Sequence, residues 1–434
     1  MSASHYSSSD PTPTARAIPR APQPLGLRRS FGFGDRLGLA TPGHVAAARR
    51  FSVAPVFVQL APREIARSGM SAATWLDATT RAAAAAAFTR DWGADANGVK
   101  TEADVEHMAA AGLTWFTLDP SAFIENRADV LPPDALAEEL AVLGKEGILP
   151  PGWITSHVGR RFDLAPDLSL APDLDSLGRA AVKFSRALHH AQRLARHVSA
   201  HARHAPYDLE LALVECSTPA TPVEHLFVGL EARRRGLPLT ALAMRWDAGL
   251  EPAAEHAGDV AAFERAMRAH AAIARHSGSY KVSVHHGGDK LAILPALARA
   301  CGEHLHVKTS ATTFLVALRL VVRTAPDLFR EIASFARLRF EAERIPHLVS
   351  TRPADVDRLF RGPALADLES SFLDTRAGRQ LLDAAAGSIL QAGLTSRGRP
   401  FRDAIMEILL LRRDEHHELL DAVFTRHLQL LNEG

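Results

Sequence analysis

The sequence predicts a parallel (β/α)8 barrel of the TIM type, followed by a helical C-terminal extension. Three observations carry this. Eight short apolar segments, near residues 31, 55, 94, 115, 211, 241, 282 and 306, have strand character, and most are followed by a helical stretch. Each strand candidate ends in polar residues, in order Asp35/Arg36, Gln59, Asp95, Asp119, Glu215, Arg245, His285/His286 and His306/Lys308. The stretch Tyr280 to Phe329 repeats strand, polar loop and helix twice, with an imidazole-rich strand end and a Lys in each copy. Successive parallel βα units put their strand ends side by side, and ligands collect at the carboxyl ends of such strands.

The chain has 434 residues, a net charge of +1 and 47% hydrophobic residues, which allows a sizeable core. Interspersed acids and bases give no argument for nucleic acid or a membrane surface as partner. Cys216 and Cys301 are the only cysteines. Two are too few for a disulfide framework or a thiolate zinc site, and they suit a reducing, cytoplasmic setting. No apolar run reaches membrane-spanning length. Residues 1–24, rich in Ser, Pro, Thr and Ala, read as a disordered tail, with a transit peptide as a weaker alternative.

Taken in order, Ser30 to Gly34 is the first strand candidate, with loop residues Gly38, Thr41, Pro42 and Gly43 and a helix after His44. Val53 to Leu60 is a continuous apolar run that suits a strand buried on both faces. Ser71 caps an Ala-rich helix to Arg90. Trp92 to Ala96 is a strand, and Thr101 with Asp104 forms a capping box for the next helix, which stops at Gly112. Leu113 to Leu118 is a strand that leads into an insertion near residues 122–175 with one helix near 134–146. Leu177 to His204 is a long amphipathic helix. Leu209 to Val214 is a strand. Thr221 and Glu224 open a helix that Gly236 ends. Leu239 to Met244 is a strand, Asp259 to His276 a helix, and the Tyr280–Phe329 stretch completes the barrel of residues 25–325. Residues 326–434 are helical and charged, an extension that either covers the barrel or joins subunits in a homo-oligomer.

The strand ends carry chemistry as a set. Singly, each has a structural reading, since an Asp after a strand commonly caps a helix and an Arg commonly forms an ion pair. Together, Glu215, His285 and His306 offer one carboxylate and two imidazoles, a ligand set for a divalent metal. Arg36, Arg245, Lys290 and Lys308 suit an anionic substrate such as a sugar acid. Asp95 and Asp119 suit acid–base work or sugar hydroxyls. Lys308 is also placed for a Schiff base, as in a metal-free aldolase. HHGGDK has the wrong spacing for a phosphate-binding Walker loop, and no strand is followed by a dinucleotide fingerprint.

The motifs SFGFGDRLGLATPGH, WGADA, FTLDPS, E-x-x-T-P-x-T-P-x-x-H-L-F, LEARRRG, YKVSVH-x-G-x-DK and HVKT-x-x-T resemble the tagaturonate/fructuronate epimerase family from about Ser30 to Glu331. The resemblance implies a metal-dependent enzyme of hexuronate catabolism that inverts C4 of a keto sugar acid. It carries the family pattern onto Asp35, Arg36, Gln59, Asp95, Lys100, Asp119, Ser121, Glu215, His225, Arg245, His285, Asp289, Lys290, His306, Lys308 and Thr309. Of these, Asp95, Asp119, Glu215 and Lys308 are the implied catalytic residues. Arg36, Gln59, Arg245, Asp289, Lys290 and Thr309 are the implied substrate contacts. The chain departs from the pattern at Asn97-Gly98 and Ala122-Phe123, where the family carries Asp-His, and at Val214, Ser217, His286 and Gly288. Losing two histidines predicts weak or absent activity on tagaturonate and fructuronate. A diverged sugar-acid binding protein therefore stands beside the epimerase and aldolase readings.

Overall fold

The computed structural model describes residues 20–68, 70–202, 206–285, 290–345, 349–361 and 367–434. Eight parallel strands close a barrel: β1 (Ser30–Gly32), β2 (Ala54–Leu60), β3 (Gly93–Val99), β4 (Trp115–Leu118), β7 (Asp208–Leu213), β8 (Ala241–Met244), β9 (Lys281–Val284) and β10 (Leu305–Lys308). Each pairs with its neighbours in sequence, and β10 closes onto β1 with His306 beside Ser30 and Lys308 beside Gly32. All eight expected strands are present. β5 (Phe162–Ala165) and β6 (Leu168–Leu170) form a separate antiparallel hairpin inside the insertion, which the sequence reading did not anticipate.

The expected capping devices hold the barrel helices. Thr101 and Asp104 cap the helix Glu102–Ala110 reciprocally, and Thr221 and Glu224 do the same for Pro222–Arg234. Ser71 Oγ accepts the Thr74 amide at the start of Ala72–Ala85. Gly236 ends the helix Pro222–Arg234 with φ +70°, a left-handed conformation that costs glycine little.

The C-terminal residues do two jobs. The last helix, Arg413–Glu433, packs between the helices Thr41–Ala48 and Leu294–Cys301 and so takes the eighth place in the outer ring. Its Phe424 ring lies 5.1 Å from Phe33 and 4.8 Å from His44. The helix after β10, Thr312–Thr324, instead turns outward and builds a second apolar core with Pro326–Glu343, Arg376–Ala384 and Phe401–Leu411. Residues that read as an appendage therefore complete the barrel. Among the described residues, no helix is long and apolar enough to cross a membrane.

The amino-terminal boundary shifts. Residues 20–24 were expected to be part of a disordered tail, yet they and Leu25 pack against the barrel floor. Leu25 is buried with Ala54, Val56, Trp115 and Ala241. The Asp208 carboxylate accepts the amides of Leu25 (2.5 Å) and Gly26 (3.0 Å), and Trp92 Nε1 donates to the Arg20 carbonyl. A buried carboxylate with two amide donors anchors this segment. Residues 1–19 lie outside the described residues.

Candidate active site

The barrel interior is charged, which is unusual for a scaffold commonly filled by branched apolar side chains. Alternation along the strands explains it. Asp95 and Asn97 on β3, Trp115 and Thr117 on β4, Asp208 and Glu210 on β7, Lys281 and Ser283 on β9, and His306 and Lys308 on β10 are each two residues apart. Residues so spaced share one face of a strand. Lys308 confirms which face. Its Nζ lies 2.8 Å from Asp95 Oδ2 and 3.0 Å from Glu210 Oε2, on strands that do not neighbour β10. Both contacts cross the lumen.

Lys308 Nζ also lies 2.7 Å from Thr117 Oγ1 and 3.3 Å from Asn97 Oδ1. An ammonium has three protons, so four acceptors exceed its capacity. The Asn97 contact is the longest and the weakest. Glu210 is shared in turn: its Oε1 accepts Ser283 Oγ (2.8 Å) and faces His285 Nε2 (2.7 Å), and its Oε2 accepts Trp115 Nε1 (3.1 Å). Thr117 Oγ1 donates to Asp95 Oδ1 at 2.8 Å.

The electrostatics separate the two carboxylates. Burial pushes both upward. Around Glu210, the Lys308 ammonium and the His285 contact outweigh burial and hold it well below the usual glutamate value. Around Asp95, burial prevails over the attraction of Lys308, and Glu210 adds repulsion, so its pKa rises. Burial also opposes the Lys308 charge, but Asp95 and Glu210 outweigh it and raise the lysine above its usual value. The cluster is one ammonium shared by two buried carboxylates, with Glu210 drawn down by Lys308 and His285 and Asp95 pushed up by burial. Pairs of titratable groups driven apart in this way are acid–base candidates.

Below this layer lies a floor. His306 is buried, its ring centroid 4.6 Å from that of Trp115, with Nδ1 2.9 Å from Ser30 Oγ. Its Nε2 is buried without a hydrogen-bond partner. Burial drives the His306 pKa well below the usual histidine value, so the ring is neutral. Lys281 sits over the Trp115 ring at 4.3 Å and donates to Ser30 Oγ at 2.9 Å; burial lowers its pKa to about 7, against the pull of Asp208 and Glu210.

The other expected site residues divide. Asp119 reaches the rim, where Oδ2 pairs with Lys100 Nζ at 3.1 Å. Gln59 is buried, with Nε2 on the Thr309 carbonyl and Oε1 without a partner. Thr309 spans β10 and β1, donating to the Gly32 carbonyl and accepting the Gly34 amide. Arg36 pairs with Asp383 of the C-terminal helices at 2.8 Å. Arg245 donates to the carbonyls of Cys216 and Ser217. Lys290 is buried and donates to the carbonyls of Glu251 and Ala254. Asp35 caps a turn through the amides of Leu37, Gly38 and Ala40. His225 belongs to a buried network with His270 and Tyr280 outside the lumen. Asp289 and His286 lie outside the described residues.

The metal set Glu215, His285 and His306 is not brought together. Glu215 lies beyond the end of β7 and is exposed, His285 faces Glu210, and His306 is buried beside Trp115. Among the described residues, the group of His, Cys, Asp and Glu donor atoms within 4.8 Å of one another is Glu106, His197 and His201, outside the barrel. Glu215 was a fair choice by residue type, but Glu210, five residues earlier, carries the carboxylate into the lumen. Asp208-x-Glu210 and Lys281-x-Ser283-x-His285, polar residues two apart in apolar strands, are the signal that would have found it.

Two of the departures from the family pattern, Gly98 and Phe123, lie near the strand ends, whereas His286 and Gly288 lie outside the described residues. Gly98 forms the bulge where the β3–β4 register shifts, with φ +77°, and its missing Cβ would lie 3.9 Å from Asp119 Oδ2. Phe123 is exposed and stacks on His190 at 4.3 Å.

A family model described as tagaturonate epimerase matches residues 12–431. The chain is 32% identical over 410 residues to the tagaturonate/fructuronate epimerase of Thermotoga maritima, covering 94% of this chain and 82% of that protein. A glycerol-bound crystal structure of fructuronate-tagaturonate epimerase from Cohnella laeviribosi superposes with a TM-score of 0.86 at 28% identity, covering 95% of this chain and 83% of that one. The native structure of the same enzyme gives 0.85. By the family model and this relative, the chain belongs to the tagaturonate epimerase family.

Proposed function

We propose that the protein inverts C4 of a keto sugar acid, interconverting tagaturonate and fructuronate, with the Lys308–Asp95–Glu210–His285 cluster as its chemical centre. The observation that carries this is one ammonium shared across the lumen between two buried carboxylates, at the end of the barrel where catalytic groups collect.

The reaction itself limits the choices. C4 lies β to the C2 carbonyl, so that carbonyl does not acidify the C4 hydrogen, and simple enolisation leaves C4 untouched. Breaking C3–C4 solves this. The C4 hydroxyl loses its proton and becomes an aldehyde, and the C3–C4 electron pair moves into the C2 carbonyl as an enediolate. Rotation of the aldehyde and re-addition on its other face inverts C4 with no net oxidation. The step needs a base for one hydroxyl proton and a cation for the enediolate. Asp95, the more basic carboxylate, carries the proton. As Asp95 takes up that proton its hold on Lys308 weakens, and the ammonium turns to the enediolate oxyanion. Glu210 keeps Lys308 charged and orients His285 at the mouth. Thr117 fixes Asp95.

The charge state bears on the aldolase alternative. A Schiff base needs a neutral amine, and a raised Lys308 pKa works against that. The expected divalent cation has no common shell at Glu215, His285 and His306, and no step here is routed through one.

The test follows tagaturonate by NMR with the purified protein. The reading predicts fructuronate as product, with no trapping of the protein by borohydride. Absence of interconversion would favour the sugar-acid binding alternative, and a borohydride adduct at Lys308 would favour the aldolase.

A further inference from the structure

The helix Leu174–His201 lies against the helix Glu102–Ala110 and the residues before it. One stripe makes the contact. His190 Nε2 lies 2.9 Å from the Lys100 carbonyl, Arg193 pairs with Glu102 at 3.2 Å, and His197 Nε2 lies 2.9 Å from Glu106 Oε1. His201, one turn beyond His197, places Nε2 3.9 Å from the same Glu106 oxygen. Spacings of three and four residues keep these groups on one helix face.

The last contact is chemically incomplete. His201 Nδ1 lies 2.9 Å from the His197 carbonyl, which can only accept, so Nδ1 carries the hydrogen. In the neutral ring, Nε2 then holds a lone pair. It faces a carboxylate oxygen, also an acceptor, too far for a hydrogen bond. A proton on the ring or a bound cation would complete this contact. A histidine that ligates a metal commonly donates its other ring hydrogen to a backbone carbonyl, which is the arrangement of His201.

We propose that Glu106, His197 and His201 bind one zinc-class divalent cation that staples these two helices together outside the barrel. The three donor atoms lie within 4.8 Å of one another. Metal–ligand bonds of roughly 2.0–2.2 Å in tetrahedral geometry set the donors about 3.4 Å apart. The Glu106–His197 separation would open from 2.9 Å and the Glu106–His201 separation close from 3.9 Å, each by about half an ångström. Two imidazoles and one carboxylate suit Zn²⁺, Co²⁺ or Ni²⁺ better than Mg²⁺ or Ca²⁺. The fourth position is left to water. The staple would also hold the segment that carries Lys100, whose ammonium pairs with Asp119 on the rim. The proposal is independent of the catalytic reading, since none of the three ligands belongs to the lumen cluster.

The experiment uses tag-free, metal-stripped full-length protein titrated with ZnCl2 against a chromophoric chelator. Thermal denaturation is followed in parallel. Wild type is expected to bind one equivalent more than the H197Q/H201Q variant, and E106Q to bind that equivalent at least tenfold more weakly. Zinc at about a hundred times its dissociation constant should raise the Tm of wild type by about 3 °C and leave that of H197Q/H201Q unchanged. Epimerisation should be the same in all three metal-stripped proteins. Equal zinc stoichiometry in wild type and H197Q/H201Q, or binding only at millimolar zinc, would overturn the site. If the double variant folds poorly, E106Q, altered at an exposed side chain, decides the matter: zinc held as tightly as by wild type would equally overturn the site.

Discussion

Two sets of polar residues around the barrel are used differently. Asp95, Thr117, Glu210 and Lys308 on β3, β4, β7 and β10, with His285 next to β9, meet one another across the lumen. Arg36 and Arg245, beyond β1 and β8, are occupied by Asp383 and by backbone carbonyls of neighbouring loops. Both sets carry reactive residue types. The difference is direction. A side chain on the inward face of a strand can reach only the lumen, whereas one just past the strand end is free to bind the next loop. Glu210 and Glu215 make the contrast within one segment: the first is buried between Lys308 and His285, the second exposed.

The largest expected effect comes from Lys308→Met. It strands two buried carboxylates without their cation and should lower stability by about 3–5 kcal/mol at neutral pH. It should also abolish measurable epimerisation. The pH dependence has a definite sign. In wild type, Glu210 is held below the usual 4.5, so its contribution is present above that pH and is lost as pH falls through its lowered value. Without Lys308 both carboxylates take up protons more readily, so the deficit of the variant should shrink toward acidic pH. Denaturation of both proteins across pH 4–8 checks this; a deficit that grows on acidification would break the account of the cluster.

Next in size is the pair Glu210→Gln and Glu215→Gln. The first should reduce kcat by roughly 100-fold or more, the second by no more than about twofold. Equal losses would erase the distinction between the inward face of β7 and the loop beyond it. Arg36→Ala sharpens the comparison from the loop-bound set. Removing the partner of the mostly buried Asp383 should cost about 2 kcal/mol of stability with little change in KM. A raised KM at unchanged stability would return Arg36 to the substrate. The smallest effect is that of Gly98→His, which restores the residue type of the family. At φ +77° a side chain is strained, so about 1 kcal/mol of stability should be lost. A gain in epimerisation would show that the rim histidine acts as a proton carrier.

Much of the fold was legible because its signals are local. Thr101 with Asp104 and Thr221 with Glu224 name their helices by capping chemistry alone, and eight apolar runs set the strand count. The site was legible in part. Asp95 and Lys308 were identified from strand ends, and they do meet. Glu210 was not, because it sits in mid-strand in a segment read only as a strand ending in Glu215, and only the barrel's closure turns one face into a charged interior. Lys290 and Arg245 were read as contacts for an anionic substrate; in the fold they donate to backbone carbonyls of loops whose course only the tertiary structure fixes. The role of Arg413–Glu433 was hidden for a similar reason. Its place in the outer ring depends on the helix after β10 leaving that place empty.

The most direct test of the central claim is the rate of tagaturonate C4 epimerisation by Asp95→Asn, an exchange of nearly equal size that removes the proposed proton carrier and keeps Lys308 in place. The account predicts a kcat at least about 100-fold below wild type, with KM within a few-fold and a folded protein. A kcat equal to that of wild type would contradict it, and would move the proton transfer away from the lumen cluster.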